Sequence, residues 1–188
     1  MKHHQWRTLP SLAAMLAVSS ILAGCGVFGG GGSQGPSPRG STASVELQTS
    51  SGQSAGRATL TSTGDGVFIS AQLRNLPEGM HAIHLHSVGR CDTPDFNSAG
   101  GHVNSTDRVH GFLNESGEHD GDLPNISVRS DGTAVADLFT TKVVLAGGAN
   151  ALLDDDGSAL VIHSGTDDYR SDPAGNSGPR IACGVIRK

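Results

Sequence analysis

Hydrophobic and polar residues alternate with a period of two along several stretches of the chain. Val67, Ile69, Ala71 and Leu73 interleave with Phe68, Ser70, Gln72 and Arg74, while Val45 and Leu47, and later Ala134, Ala136 and Leu138, sit between polar neighbours. Successive side chains of a strand point to opposite faces, so this pattern predicts strands buried on one side. No window keeps a helical period, and no α-helix is expected. Gly64-Asp65-Gly66 and Asp131-Gly132 lie between alternating runs and predict hairpin turns. Strands are expected at 43–50, 56–63, 66–75, 80–86, 125–130, 133–139, 158–163 and 181–186. Eight short strands without helices predict an all-β sandwich or barrel.

Two connections are too long for turns: Ser87–Pro124 has 38 residues and Ser164–Arg180 has 17. Loops of that length inside a compact domain are functional or disordered. Most of the candidate chemistry falls in them, which favours function.

The N-terminus does not belong to this pattern. Lys2 and Arg7 precede an apolar or small run, Leu9–Ala23, interrupted only by Pro10 and three serines, and it ends Leu22-Ala23-Gly24-Cys25. A basic start, a short apolar stretch and small residues at its end predict a signal peptide over residues 1–24. The run is shorter than the roughly 20 residues of a comfortable membrane span. The tetrapeptide Leu-Ala-Gly-Cys resembles the bacterial lipobox, which implies lipidation of Cys25. Gly26–Thr42 is rich in Gly, Ser and Pro and cannot bury a core, so residues 25–42 read as a lipidated cysteine with a flexible tether reaching roughly 20–25 Å. One folded domain, 43–188, remains. The expected location is outside the cytoplasm, anchored by lipid to the outer face of a bacterial membrane, in the periplasm or cell envelope.

Without Lys2 and Arg7 the 13 basic residues fall to 11 against 18 acidic ones, a net charge of −7. No basic patch is present, which excludes nucleic acid as a partner. With Cys25 assigned to lipid, Cys91 and Cys183 form either one disulfide or two free thiols, and export favours the disulfide.

Seven histidines fall in the domain: His81, His84, His86, His102, His110, His119 and His163. His84 and His86 occupy positions i and i+2 of an expected strand, so both imidazoles project from one face and can share a metal, although two surface histidines would look the same. His102, His110, His119 and Asp122 supply three imidazoles and a carboxylate from one loop, a donor set suited to tetrahedral zinc. His163 ends the apolar strand Ala159-Leu160-Val161-Ile162; taken alone it could be a core histidine.

Together these features resemble the copper–zinc superoxide dismutase family over about residues 43–186. The matching segments are Gly79–His86, Ser98–Asn104, His110-Gly111, His119–Asn125, Val161–His163 and Gly175–Ile186. The resemblance implies an eight-stranded Greek-key β-barrel with two long functional loops and one copper and one zinc per chain. Copper would be held by His84, His86, His102 and His163, and zinc by His102, His110, His119 and Asp122, with His102 shared as a bridge. Asp167 matches the family's carboxylate that links a copper histidine to a zinc histidine. Arg180 matches the arginine beside copper, and His81 a structural histidine. Cys91 and Cys183 match the intrasubunit disulfide. The implied activity is disproportionation of superoxide to dioxygen and hydrogen peroxide, with His102 and Arg180 as catalytic residues. A homodimer is compatible with the resemblance, since some bacterial members pair and others are monomers.

Some positions depart from the family. Ser105 stands where many relatives have proline, and Phe112 where glycine is common. The second long loop carries Asp167, Asp168, Arg170 and Asp172 but no lysine, so its attraction for an anion should be weaker. The competing expectation is a dismutase-like metal-binding envelope protein without turnover. Such a protein should lack a copper ligand, the bridge or the arginine; this sequence lacks none. Asp154-Asp155-Asp156 reads as a solvated turn.

Overall fold

The computed structural model describes Gly35 and residues 37–188; the expected signal peptide, Cys25 and most of the tether lie outside the described residues. Strand β1 (Thr42–Thr49) pairs with β2 (Ser54–Ser62), and β2 with β3 (Val67–Leu73), through hairpins with in-register partners such as Thr59–Ser70. Inward positions of these strands, among them Val45, Leu60, Ile69 and Ala71, are fully buried, whereas Phe68 and Gln72 face outward, as the alternation predicts. After β3 the chain crosses over to make β4 (Gly79–His81), β5 (Ile83–His86) and β6 (Ile126–Val128). It returns beside β3 as β7 (Ala134–Thr140), then forms β8 (Ala159–His163) and β9 (Arg180–Arg187). The order β5-β8-β9-β1-β2-β3-β7, with β4 paired to β6, is the Greek-key arrangement. Among the described residues there is one 3-10 turn, Asn97–Ala99, and no α-helix.

Two local expectations change. The stretch 80–86 is two strands rather than one. Its β4 half pairs with β6 and its β5 half with β8, and the chain passes from one sheet to the other at Ala82. At this junction the Ala82 N–H donates to Gly165 and its carbonyl accepts from His163 N–H, so the second long loop and the end of β8 satisfy the backbone where the sheets part. The Asp131-Gly132 turn is tight, with Arg129 N–H bonded to Thr133 O, but it does not join a paired hairpin: β6 goes to β4 and β7 to β3.

Strand β8 is buried on both faces. Leu160 and Ile162 join the barrel core with Ile83 and Leu85, while Ala159 and Val161 pack outside it against Phe96, Ala99 and Cys183. The first long loop therefore lies on the outer face of β8 and closes a second small core there. Burying a Phe or Val side chain such as Phe96 or Val161 contributes about 1.5–3 kcal/mol relative to exposure. This outer core is what holds a loop of irregular backbone against a rigid sheet.

Candidate metal centre

The site lies outside the barrel, between the sheet and the two long loops. In β5 the period of two sends Ile83 and Leu85 into the core and His84 and His86 to the opposite face. The first loop runs back antiparallel to this strand, and isolated bridges set His86 beside His102 and His84 beside Asp122. Gly121 permits that approach, because a Cβ there would collide with the Leu85 carbonyl oxygen. His163 at the end of β8 completes the group.

Four ring nitrogens converge without any hydrogen-bond partner: Nδ1 of His84 and Nε2 of His86, His102 and His163, all buried. Within this group one donor atom from each residue lies within 4.8 Å of the others. The far nitrogens are engaged. His86 Nδ1 donates to Gly100 O at 2.9 Å, His163 Nδ1 to Gly178 O at 3.1 Å, and His84 Nε2 to Asp167 Oδ2 at 2.8 Å. These bonds fix each tautomer so that the inward nitrogen keeps its lone pair. Burial, with the neighbouring histidines adding, lowers His86 well below the usual histidine range, His163 to about 3 and His102 to about 4. These three rings are therefore neutral at physiological pH. Four orphaned lone pairs aimed at one point in a buried site fit a soft-to-borderline metal ion held by imidazoles.

The other nitrogen of His102 belongs to a second cluster. His102 Nδ1 lies 2.8 Å from Asp122 Oδ1 and 3.2 Å from His119 Nδ1, and Asp122 Oδ1 lies 3.0 Å from His110 Nδ1 and 3.5 Å from His119 Nδ1. A tetrahedral site with ligand bonds of about 2.0 Å has edges of about 3.3 Å, so these spacings suit three imidazoles and a carboxylate around one zinc ion. Oδ2 of Asp122 accepts Gly111 N–H at 2.9 Å and His119 N–H at 3.1 Å, which leaves Oδ1 to face the cluster. Burial opposes the Asp122 charge, but donors from His102, His110, His119 and Gly111 hold its carboxyl far below the ordinary range. Burial likewise opposes a charged His110, yet Asp122 and Asp167 raise it to about 9, so this corner attracts positive charge.

Asp167 joins the two clusters, with Oδ2 on His84 and Oδ1 2.9 Å from His110 Nε2. It is buried and held below the ordinary carboxyl range: burial opposes its charge, but the His110 and His84 hydrogen bonds outweigh it. Gly175, at φ +65°, makes room for this carboxylate, since a Cβ there would strike it. Asn125 frames the Asp167 backbone with two bonds of 2.9 Å, and Asn125 N–H donates to the Tyr169 hydroxyl at 2.8 Å. Asp172 accepts His110 N–H at 2.8 Å.

Arg180 lies opposite His163 in the β8–β9 ladder, and its guanidinium donates to Phe96 O at 2.7 Å and Gly100 O at 2.6 Å. It and His163 line a surface hollow of about 630 Å³ together with Pro94, Asp95, Ala174 and Ile181. The Cys91–Cys183 disulfide, with Cα atoms 5.7 Å apart, pins the first loop to β9 behind this hollow. His81 is buried away from both clusters, with its ring nitrogens on the carbonyls of His163 and Pro77.

The residues expected as ligands, His84, His86, His102, His110, His119, His163 and Asp122, come together as two clusters sharing His102, with Asp167 beside both and His81 apart. What the sequence did not assign are the carbonyls of Gly100, Phe96 and Gly178, and the roles of Asn125, Tyr169 and Asp172. Both departures have a local account. Ser105 donates its N–H and hydroxyl to the buried Asp120 at 2.6 Å each, and Phe112 packs on Tyr169 with ring centroids 5.3 Å apart.

Comparison with known proteins points to one family. The profile of the family described as copper/zinc superoxide dismutase matches residues 54–186. A Cu-Zn superoxide dismutase of Caulobacter vibrioides is 44% identical over 149 residues, 78% of this chain and 86% of that one. A second, from Aquifex aeolicus, is 45% identical over 145 residues, 76% of this chain and 86% of that one. The crystal structure of a superoxide-dismutase-like protein from Bacillus subtilis superposes with a TM-score of 0.72 at 38% identity, covering 76% of this chain and 96% of that chain. A Greek-key barrel, two histidine clusters sharing one ring, and matches of this extent lead to one assignment: the chain belongs to the copper/zinc superoxide dismutase family.

Proposed function

We propose that this chain disproportionates superoxide to dioxygen and hydrogen peroxide outside the cytoplasm. In this reading copper is held by His84, His86, His102 and His163, zinc by His102, His110, His119 and Asp122, and His102 bridges the two. The observation that carries it is the set of four buried, partnerless ring nitrogens, one of them on a histidine whose other nitrogen serves the second cluster. When bound, copper supplies one-electron chemistry with superoxide and zinc a redox-silent charge that holds the loop.

The chain's own residues do the rest. Arg180, fixed by two carbonyls, has N–H groups left over to meet a small anion in the hollow beside His163. His102 Nε2 takes up a proton and gives it back, so that one of the two protons in hydrogen peroxide comes from a fixed position and the other from solvent. Asp167 keeps His84 and His110 in the tautomers that turn Nδ1 toward the two clusters. Residues 1–24 serve for export, Cys25 carries lipid, 26–42 form the tether and the domain acts at the outer face of a membrane, protecting the envelope. The basic-then-apolar start and the Leu-Ala-Gly-Cys sequence support that placement.

The test is metal analysis of the purified domain beside a stopped-flow assay of superoxide decay. About one copper and one zinc per chain with fast decay is expected. Full loading of both metals without decay would contradict the enzyme and favour a metal-binding protein without turnover.

A further inference from the structure

The hollow that leads to His163 contains one cation and one carboxylate among its lining residues, Arg180 and Asp95. Asp95 is exposed, and it sits directly before Phe96, whose carbonyl holds the guanidinium. Its carboxylate is fixed in place: Oδ1 accepts Asn97 N–H at 3.1 Å and Oδ2 accepts Asn97 Nδ2 at 2.7 Å, both from the first residue of the 3-10 turn that follows. Phe96 adopts the left-handed conformation, φ 56°, so the backbone at this point is not free to swing the acid away. The two charges interact: burial disfavours charge on Arg180, and Asp95 works in the opposite direction. No lysine in the second loop offsets the acid.

From this placement we propose that Asp95 is a rate-setting residue for the anionic substrate, a fixed negative charge at the mouth of the hollow that partly cancels the attraction of Arg180. This rests on the dismutase reading above. A superoxide ion entering the hollow passes both charges, and at physiological salt the Debye length of about 8 Å does not screen charges lining the same hollow away. Holding Asn97 and repelling the substrate are then done by one carboxylate. Its neutral isostere would keep an oxygen acceptor for Asn97 N–H while removing the charge.

The test compares wild type with Asp95→Asn and Asp95→Glu, each loaded with copper and zinc and checked for metal content and melting temperature. Superoxide decay is followed between low and high ionic strength. Asp95→Asn should react about twofold faster at low salt and lose that advantage as salt rises, whereas Asp95→Glu should reproduce the wild-type rate and salt slope. Azide affinity of the copper-loaded proteins, read from the visible spectrum, should tighten about twofold in Asp95→Asn at low salt. Unchanged rate and azide affinity in a fully loaded, normally melting Asp95→Asn would overturn the proposal and leave Asp95 a local partner of Asn97. A wild type that binds azide but does not consume superoxide would overturn the dismutase reading instead, and the azide series would still decide the role of Asp95.

Discussion

His86 and Arg180 donate to the same acceptor, the Gly100 carbonyl oxygen, at 2.9 and 2.6 Å. One backbone group of the first loop thus sets both the tautomer of a candidate copper ligand and the position of the cation that meets the substrate. Arg180→Ala should keep His86 in place, because Gly100 remains an acceptor, but should slow superoxide decay about tenfold and abolish its decline with added salt. Arg180→Lys should recover only part of the rate, since an ammonium cannot span the Phe96 and Gly100 carbonyls as the planar guanidinium does. Stopped-flow rates across ionic strength check both, and a wild-type rate in Arg180→Ala would remove the role given to this residue.

Asp167 bonds one unshared ring of each cluster, His84 in the first and His110 in the second. Asp167→Asn replaces a charged acceptor for two imidazole N–H groups with a neutral one. Zinc affinity should fall about 10- to 100-fold, the usual effect of losing such a partner, while the domain stays folded. Competition with a chromophoric chelator reads this directly; an unchanged affinity would show that the carboxylate does not orient His110.

Asp168 organises the second loop, accepting from Arg170 N–H, Ser171 N–H and hydroxyl, and Asn176 Nδ2. The Ser171 hydroxyl and the two backbone amides lower its carboxyl to about 2. A depressed folded-state value means that its contribution to loop order is present above the unfolded value of about 3.9 and is lost as pH falls through about 2. Carboxyl carbon shifts followed by NMR should place the Asp168 midpoint near 2, and amide exchange at Arg170 and Ser171 should quicken in Asp168→Ala. An Asp168 midpoint in the ordinary carboxylate range would contradict the network.

The Cys91–Cys183 bridge closes 92 residues of sequence separation. Loop-closure entropy gives it about 4–5 kcal/mol. Replacing both cysteines with serine should lower the melting temperature by roughly 10–15 °C in a domain of this size. Because the bridge pins the loop that carries Phe96 and Gly100, superoxide decay should also slow before the protein unfolds. Calorimetry and the rate assay, run on the same sample, check the pair.

Much of the barrel was legible in the alternation, because a half-buried strand must alternate; Val67–Leu73 is the plainest case. The break at Ala82 was not. Met80–His86 reads as a continuous run of strand formers, and only the partners β6 and β8, distant in sequence, divide it. The metal-ligand candidates were legible because imidazoles and carboxylates are scarce and their spacings distinctive. The supporting acceptors were invisible for the opposite reason: every residue has a carbonyl, so nothing in the letters marks Gly100, Phe96 or Gly178. Asn125 and Tyr169 are ordinary polar residues in sequence. They gain their roles only when β6 and the second loop meet around Asp167.

The shared ring of His102 is the feature on which the two-metal reading depends, and electron paramagnetic resonance tests it most directly. With Cu(II) loaded into both clusters, an imidazolate bridge through His102 couples the two spins, so the signal at low temperature should fall far below that of two isolated copper ions. Exchanging zinc into the second cluster should restore the spectrum of a single copper. An undiminished two-copper signal would mean that the sites do not share His102, and would contradict the bridged centre.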